Sequence, residues 1–412
     1  MKGWYFSTAL ELVVILGRHG IRSPLMTPAE MAAFAAQPWP EWPVAPGVLT
    51  PHGGRQMVVM GGYFRDRYLK EGLLSGQSAQ DVDRIQFRSD SDQRTIESAE
   101  RLAEGLLPGT AAVIHHRPQD AADPLFVPVR LDIGHPDRAL AAAAIRGRIG
   151  DNPQALFEAH RPTFVRLQRI LYGDEPIAPG KRPPLRQSAG LGPGTNTNLV
   201  ALTGPLNQGL VMTDALLLEY AEGMPLSQVG WGRMTRADLT DLLSVHSLEF
   251  NLTQKTFYCA QAQGSNLARH LRETLDQAVS GRAVAGAIGT PAQRMLVVLG
   301  HDTNLVNFAG LLNLSWIIAG SQNDPVLPGG SLVLELRKGD DGAQRIRIYY
   351  VSQTLDGMRG GEAIDAAHPP AIAPVFIPGC SDSEPGYDAP LAKFEQRLEQ
   401  AIDPTFVLPG SD

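Results

Sequence analysis

Hydrophobic positions gather in three short runs that end in the same kind of punctuation. Leu12-Val-Val-Ile-Leu16 runs into Gly17-Arg-His-Gly20, Arg84-Ile-Gln-Phe87 into Arg88-Ser-Asp-Ser-Asp92, and Met295-Leu-Val-Val-Leu299 into Gly300-His-Asp302. Apolar runs of four or five residues closed by Gly, Ser or Asp predict strands buried on both faces, as in parallel sheets covered by helices. Helical spacing follows from Thr95 to Leu107, where Pro108-Gly109 stops it, and again from Leu305 to Leu312. These are strand, loop, helix units set far apart in the chain.

The stretch between them has another texture. Ala139 to Leu171 is rich in Ala, Leu and Arg at helical spacing, and Ile177 to Thr197 reads as a Pro/Gly loop. Helical patterns return over Thr213 to Ala221 and Arg236 to Ala262, broken by Gly223-Met-Pro225 and Gly230-Trp-Gly232. The expected fold class is α/β: a mainly parallel central sheet flanked by helices, with an inserted, mostly helical second domain. The boundaries that follow are 1–131 plus 256–412 for the α/β domain and 132–255 for the helical insertion. In open α/β sheets ligands bind beyond the carboxyl ends of the strands, so the three loops should converge on one place.

Length and composition narrow the class. At 412 residues the chain exceeds any single small module, and 43% apolar with 19% charged residues describes a globular protein with a substantial core. The net charge of -7 leaves no basic field for a nucleic-acid backbone, so an anionic ligand has to be met by a local cluster. Two cysteines, Cys259 and Cys380, exclude zinc ribbons, C-x-x-C redox motifs and disulfide scaffolds. The apolar run Leu12 to Leu16 is too short for a signal or membrane segment, so the chain is expected to be soluble, with any export signal already removed.

The loops carry the chemistry. Arg18-His19-Gly20-Ile21-Arg22-Ser23-Pro24, Asp90-Ser-Asp92-Gln-Arg94-Thr95 and His301-Asp302-Thr303-Asn304 together offer three guanidiniums, two imidazoles and a carboxylic acid. Three arginines beside two histidines repel one another unless a multiply charged anion lies among them, and the guanidinium fork matches phosphate oxygens. Imidazole is a competent nucleophile at phosphorus, and a neighbouring carboxyl can protonate the leaving oxygen. No metal is required where arginines supply the positive charge. Gly20 is expected to let backbone approach the ligand, and Pro24 to fix the loop's exit.

Arg18-His-Gly-x-Arg-x-Pro24 with His301-Asp302 resembles the histidine acid phosphatases, the second branch of the histidine phosphatase superfamily. The resemblance continues through Leu49-Thr-Pro-His-Gly-Gly54, Asp90-x-Asp-x-Arg-Thr95, Asp123-Pro-Leu-Phe126, Gly230-Trp-Gly232, Pro328-Gly-Gly-Ser331 and Gln353-Thr-Leu355, spanning almost the whole chain. It implies a phosphoglycerate mutase-like fold and makes His19 the phosphorylated nucleophile. It assigns Arg18, Arg22, Arg94 and His301 to phosphate binding and Asp302 to the general acid, with Asp90 and Thr303 near the pocket. It further implies a cofactor-free acid phosphatase in the periplasm or outside the cell, a phytase acting on inositol hexakisphosphate or a glucose-1-phosphatase acting on a sugar phosphate. A small phosphomonoester is then the partner, with no nucleic acid, no membrane, and a monomer as the expected state.

The chain also departs from the family. Leu25 and Met26 stand where the enteric phytase pattern has Thr-Lys, whose lysine helps hold the additional phosphates. Leucine at the first position resembles glucose-1-phosphatase, which however has Asn where this chain has Gly20. The disulfides usual in bacterial members cannot form from two cysteines, and Cys380 lacks the partner expected about nine residues later. Rival readings are a phosphotransferase or mutase, since phosphohistidine can also transfer to an alcohol, and a binding protein that kept the pocket. The remaining histidines, His115-His116 included, are read as structural or surface residues, with His246 placed to touch substrate from the facing domain. Gly190-Leu-Gly-Pro-Gly194 is read as a plain loop, and Trp39 and Trp42 as packing residues.

Overall fold

The computed structural model describes residues 8–408. Its strands are β1 (Thr8–Arg18), β2 (Ile85–Ser89), β3 (Ile114–His115), β4 (Gly190–Pro193), β5 (Val200–Thr203), β6 (Met295–Gly300), β7 (Ser331–Gly339), β8 (Gln344–Ser352), β9 (Ala371–Val375) and β10 (Ala389–Pro390). Eight of them form one sheet in the order β10-β8-β7-β1-β6-β2-β3, with β9 also paired to β8. The three predicted runs are the neighbours β1, β6 and β2, all parallel. Arg18 lies opposite Gly300 and Ser89 opposite Leu299, so the three strands end level and their loops leave from one edge of the sheet.

β1 is buried on both faces, which is why its sequence is a continuous apolar run and not an alternation. Leu12, Val14 and Leu16 join one core with Leu296 and Val298, while Val13 and Ile15 join the opposite core with Met295, Val297 and Leu299. Burying side chains of this kind contributes roughly 1.5–3 kcal/mol each, so a one-residue register slip exchanges two whole sets of core contacts. The sequence reading missed the antiparallel extension formed by β7, β8, β9 and β10. None of those strands is followed by the Gly-His or Ser-Asp punctuation that marked the others.

Residues 138–253 are helical apart from a small ribbon. Helices Arg138–Arg148, Pro153–Ala159, Arg161–Tyr172, Pro205–Ala221 and Arg236–Thr253 carry most of this part. The pattern read as one helix from Arg236 to Ala262 is two, since the second, Phe257–Ser280, starts after a break at residues 254–256. Gly190 to Pro193 is a strand paired antiparallel with β5, a correction to the plain-loop reading: once a partner strand supplies the ladder, glycine does not prevent pairing. Trp39 is buried, donates its indole N–H to Met31 O at 3.0 Å and meets Trp231 edge-on at 4.8 Å, so it packs as expected. Cys259 and Cys380 are both buried and unpaired. Among the described residues no helix is long and apolar enough to cross a membrane.

Candidate active site

The first loop is clamped from two sides. Gly330 O accepts from Arg18 N at 2.9 Å and Gly329 N donates to His19 O at 2.9 Å, so Pro328-Gly-Gly-Ser331 holds the backbone on which the Arg-His pair sits. Gly20 has a packing reason: a Cβ there would lie 2.9 Å from Gly53 O and 2.9 Å from Met57 Cγ, so the helix Pro51–Lys70 packed behind the loop demands glycine. That helix is N-capped by Thr50, whose hydroxyl accepts from Gly53 N, which accounts for Leu49-Thr-Pro-His-Gly-Gly54.

His19 is buried, and its Nδ1 lies 2.8 Å from Gly20 O. A carbonyl can only accept, so Nδ1 carries the hydrogen and Nε2 keeps its lone pair. Burial, followed by the charges of Arg94, Arg18, Arg22 and His301, holds the His19 imidazole well below its ordinary value and therefore neutral in mild acid. The His301 ring lies edge-on at 5.6 Å. Its Nε2 is 2.8 Å from Asp90 Oδ2, and its Nδ1 receives Arg94 Nη2 at 3.5 Å. Since Arg94 can only donate, Nδ1 accepts and Nε2–H points at Asp90, which orients His301 from behind.

Asp302 opens the helix Asp302–Leu312, with Oδ1 accepting from Thr303 N at 2.9 Å and Oδ2 lying 3.0 Å from Arg18 Nη2. Thr303 thus reaches Asp302 through its backbone amide. Asn304 is a cap and more: Oδ1 accepts from His301 N at 2.8 Å, while Nδ2 donates to Phe126 O at 2.8 Å. Asp123-Pro-Leu-Phe126 in turn is fixed by an ion pair between Arg88 and the fully buried Asp123. Burial alone would raise the Asp302 carboxyl, but Arg18, His246, His301 and Arg22 outweigh it and leave it below the ordinary aspartate value.

The structure brings Arg18, His19, Arg22, Asp90, Arg94, His301, Asp302 and Thr303 to one place, seats His246 beside them, and adds Asp214 and Asp92, which the sequence reading missed. Asp214, from helix Pro205–Ala221, spans two arginines: Oδ2 is 3.0 Å from Arg22 Nη2 and Oδ1 is 3.4 Å from Arg18 Nη2. Asp92 lies 2.6 Å from Arg94 Nη2. His246 is buried, stacks on Phe250 at 4.7 Å and places Nε2 3.9 Å from Asp214 Oδ1. The three arginines therefore do not face one another uncompensated, because Asp90, Asp92, Asp214 and Asp302 lie among them. Even so, the buried Nε atoms of Arg18, Arg22 and Arg94 have no hydrogen-bond partner. No local pattern announces Asp214: it is an acid in a mostly apolar, largely buried helical run.

Asp90, Asp92 and His301 set three donor atoms within 4.8 Å of one another, the only such group among the described residues that could hold a metal. The Arg94 guanidinium already meets Asp92 there, so the carboxylates are neutralised by the chain's own cation. His115 and His116 belong to no such group.

A neutral buried imidazole with an open Nε2, ringed by guanidiniums and backed by a carboxyl, at the carboxyl edge of a parallel sheet, defines an α/β enzyme of the histidine phosphatase class. The comparisons agree. The family model of the histidine phosphatase superfamily (branch 2) matches residues 9–155. Phytase AppA of Escherichia coli is 33% identical over 405 residues, covering 96% of this chain and 92% of that protein. Glucose-1-phosphatase of Salmonella typhimurium is 28% identical over 399 residues, covering 95% and 92%. The structure of Hafnia alvei phytase in complex with tartrate superimposes with a TM-score of 0.89 at 32% identity, covering 98% of this chain and 99% of that one. This chain belongs to branch 2 of the histidine phosphatase superfamily.

Proposed function

We propose that the protein hydrolyses phosphomonoesters through a phosphohistidine on His19, with phytate as the preferred substrate, in the cleft between the α/β part (1–131 and 256–412) and the helical part (132–255). The observation that carries this reading is the set of three guanidiniums, Arg94, Arg18 and Arg22, whose charges bear on a His19 that keeps its Nε2 for attack. Phosphate oxygens are the acceptors such forks fit best. In the first step Nε2 attacks phosphorus, the bond to the ester oxygen breaks, and Asp302 gives its proton to the departing alcohol. In the second, water attacks phosphorus, the P–N bond breaks, and Asp302 takes the proton. Arg18, Arg22 and Arg94 hold the equatorial oxygens throughout, with His301 holding Arg94 through Nδ1.

The two steps need a neutral His19 and a protonated Asp302. The arginines that keep His19 neutral also hold Asp302 low. A phosphate dianion on the same arginines competes with Asp302 for Arg18 and adds its own negative field, which raises the carboxyl. Activity is therefore confined to acid, falling as pH rises through the Asp302 value in the complex. An activity maximum above about pH 8 would contradict the assignment.

Phytate is favoured by the 33% identity to phytase AppA against 28% to glucose-1-phosphatase. One observation favours a sugar phosphate instead: Leu25 is 61% exposed and lies against Gly47, whose carbonyl receives Arg94 Nη1 at 3.5 Å, so the pocket's lip is apolar at that point. The carboxylates touching the site's arginines and His301 are all aspartates, Asp90, Asp92, Asp214 and Asp302, whereas a glutamate would suit mutase chemistry. Metal independence, a periplasmic or extracellular location and a monomeric state complete the proposal. The test is a turnover panel of phytate, glucose 1-phosphate, other sugar phosphates and an aryl phosphate, with and without chelator. Free orthophosphate, released fastest from phytate and unchanged by chelator, is the expected result; no orthophosphate, or activity abolished by chelator, overturns it.

A further inference from the structure

Asp214 is the one carboxylate of the site that comes from the helical part, and it competes with Asp302 for the same atom. Arg18 Nη2 lies 3.0 Å from Asp302 Oδ2 and 3.4 Å from Asp214 Oδ1, and the second Asp214 oxygen is 3.0 Å from Arg22 Nη2. Arg18 itself cannot move away, since it is fully buried and Nη1 donates to Val326 O at 2.6 Å. A single guanidinium nitrogen is thus divided between the proton donor of the reaction and a carboxylate that takes no part in bond making. Building on the phosphatase reading, we infer that Asp214 is a positioning residue: it fixes the Arg18 and Arg22 forks and keeps Arg18 from binding Asp302 so tightly that Asp302 cannot be protonated.

The surroundings support this division. Asp302 and Asp214 face Arg18 and Arg22 from the first loop and His246 from helix Arg236–Thr253, and the Asp302 charge raises Asp214's hold on a proton. Asp302 also faces Arg94 from the second loop, His301 from the third, and the buried Glu249 one turn beyond His246. All the cations in this set pull Asp302 toward ionisation. Asp214 spreads two of them over a second carboxylate. Replacing it with asparagine removes a negative charge near Asp302 and returns Arg18 to Asp302, and both changes favour the ionised acid.

The experiment compares the wild-type chain with Asp214→Asn and Asp214→Glu, measuring kcat and KM across pH on glucose 1-phosphate and on 4-nitrophenyl phosphate. The aryl leaving group departs with little help from an acid, so it separates loss of protonation from loss of shape. For Asp214→Asn, kcat on glucose 1-phosphate is expected to fall about tenfold or more, with the alkaline limb moved at least about half a unit toward acid. kcat on the aryl ester should change far less, and KM should rise no more than about threefold. Asp214→Glu keeps the charge and should leave the limb where the wild type has it. An unmoved limb in Asp214→Asn, or equal losses on both esters, overturns the inference. If Asp214→Asn does not fold, Asp214→Glu decides, because a displaced limb there contradicts a role resting on charge. A wild-type chain that hydrolyses neither ester refutes the phosphatase reading instead.

Discussion

The two walls of the site differ in how they deliver their side chains. The sheet side presents Arg18, His19, Arg94, His301 and Asp302 from loops that begin where strands of equal register end, so residues adjacent in sequence are adjacent in space. The helical side presents Asp214 and His246 from the middle of helices Pro205–Ala221 and Arg236–Thr253, each surrounded in sequence by residues that only pack. The first wall holds His19 and Asp302, the proposed nucleophile and acid; the second balances the charge that the first concentrates. A rigid parallel sheet suits reacting groups because its level strand ends fix their spacing, while long helices can project one acid into a cleft at little local cost.

The sharpest test of that division removes the nucleophile. His19→Ala should lower turnover by about 10⁴-fold or more and abolish trapping of an acid-labile, alkali-stable phosphoryl-enzyme in an alkaline quench; full turnover would end the phosphohistidine mechanism. Next in size, Asp302→Asn should cost about 10²- to 10⁴-fold on alkyl phosphates and much less on aryl phosphates. Equal losses on both would mean that Asp302 positions Arg18 and does not donate a proton.

A third test belongs to the helical wall and concerns stability. Glu219 is 1% exposed, accepts from Gly230 N at 3.0 Å, and burial pushes its carboxyl up to about 8. It thereby holds Gly230 and Trp231, both at positive φ, in the turn from which the Trp231 indole N–H donates to Pro38 O. A carboxyl whose folded value is raised contributes stability that is complete below its unfolded value near 4.5 and is lost as pH rises to about 8. Glu219→Gln does not ionise, so its unfolding free energy should gain on the wild type by on the order of 1.4 kcal/mol per pH unit across that window and level off above it. Unfolding midpoints of both proteins between pH 4 and 9 check this; a gap that stays constant with pH refutes it.

Much of the fold was legible because burial on both faces writes a continuous apolar run, and Leu12 to Leu16 and Met295 to Leu299 are two such runs. β7 and β8 were harder to see, since antiparallel partners need no crossover helix and no loop signature at their ends. The packing role of Gly20 was hidden for a related cause: the neighbour that requires glycine there, Gly53, belongs to a helix whose packing the sequence does not state. His246 carried no pattern separating it from a core histidine, and only its 3.9 Å approach to Asp214 places it in the site.

By itself, the sequence determined the parallel core and the residues that gather at its edge, because each is written in a few contiguous residues: an apolar run, a turn and a charged loop. The tertiary structure decided the electrostatic state of those groups. Arg22 and Asp214 are 192 positions apart and meet at 3.0 Å. Charge acts through distance in space and not through position in the chain, so what holds the arginines in place, and how firmly Asp302 can keep a proton, became visible only once the helical wall was folded against the sheet.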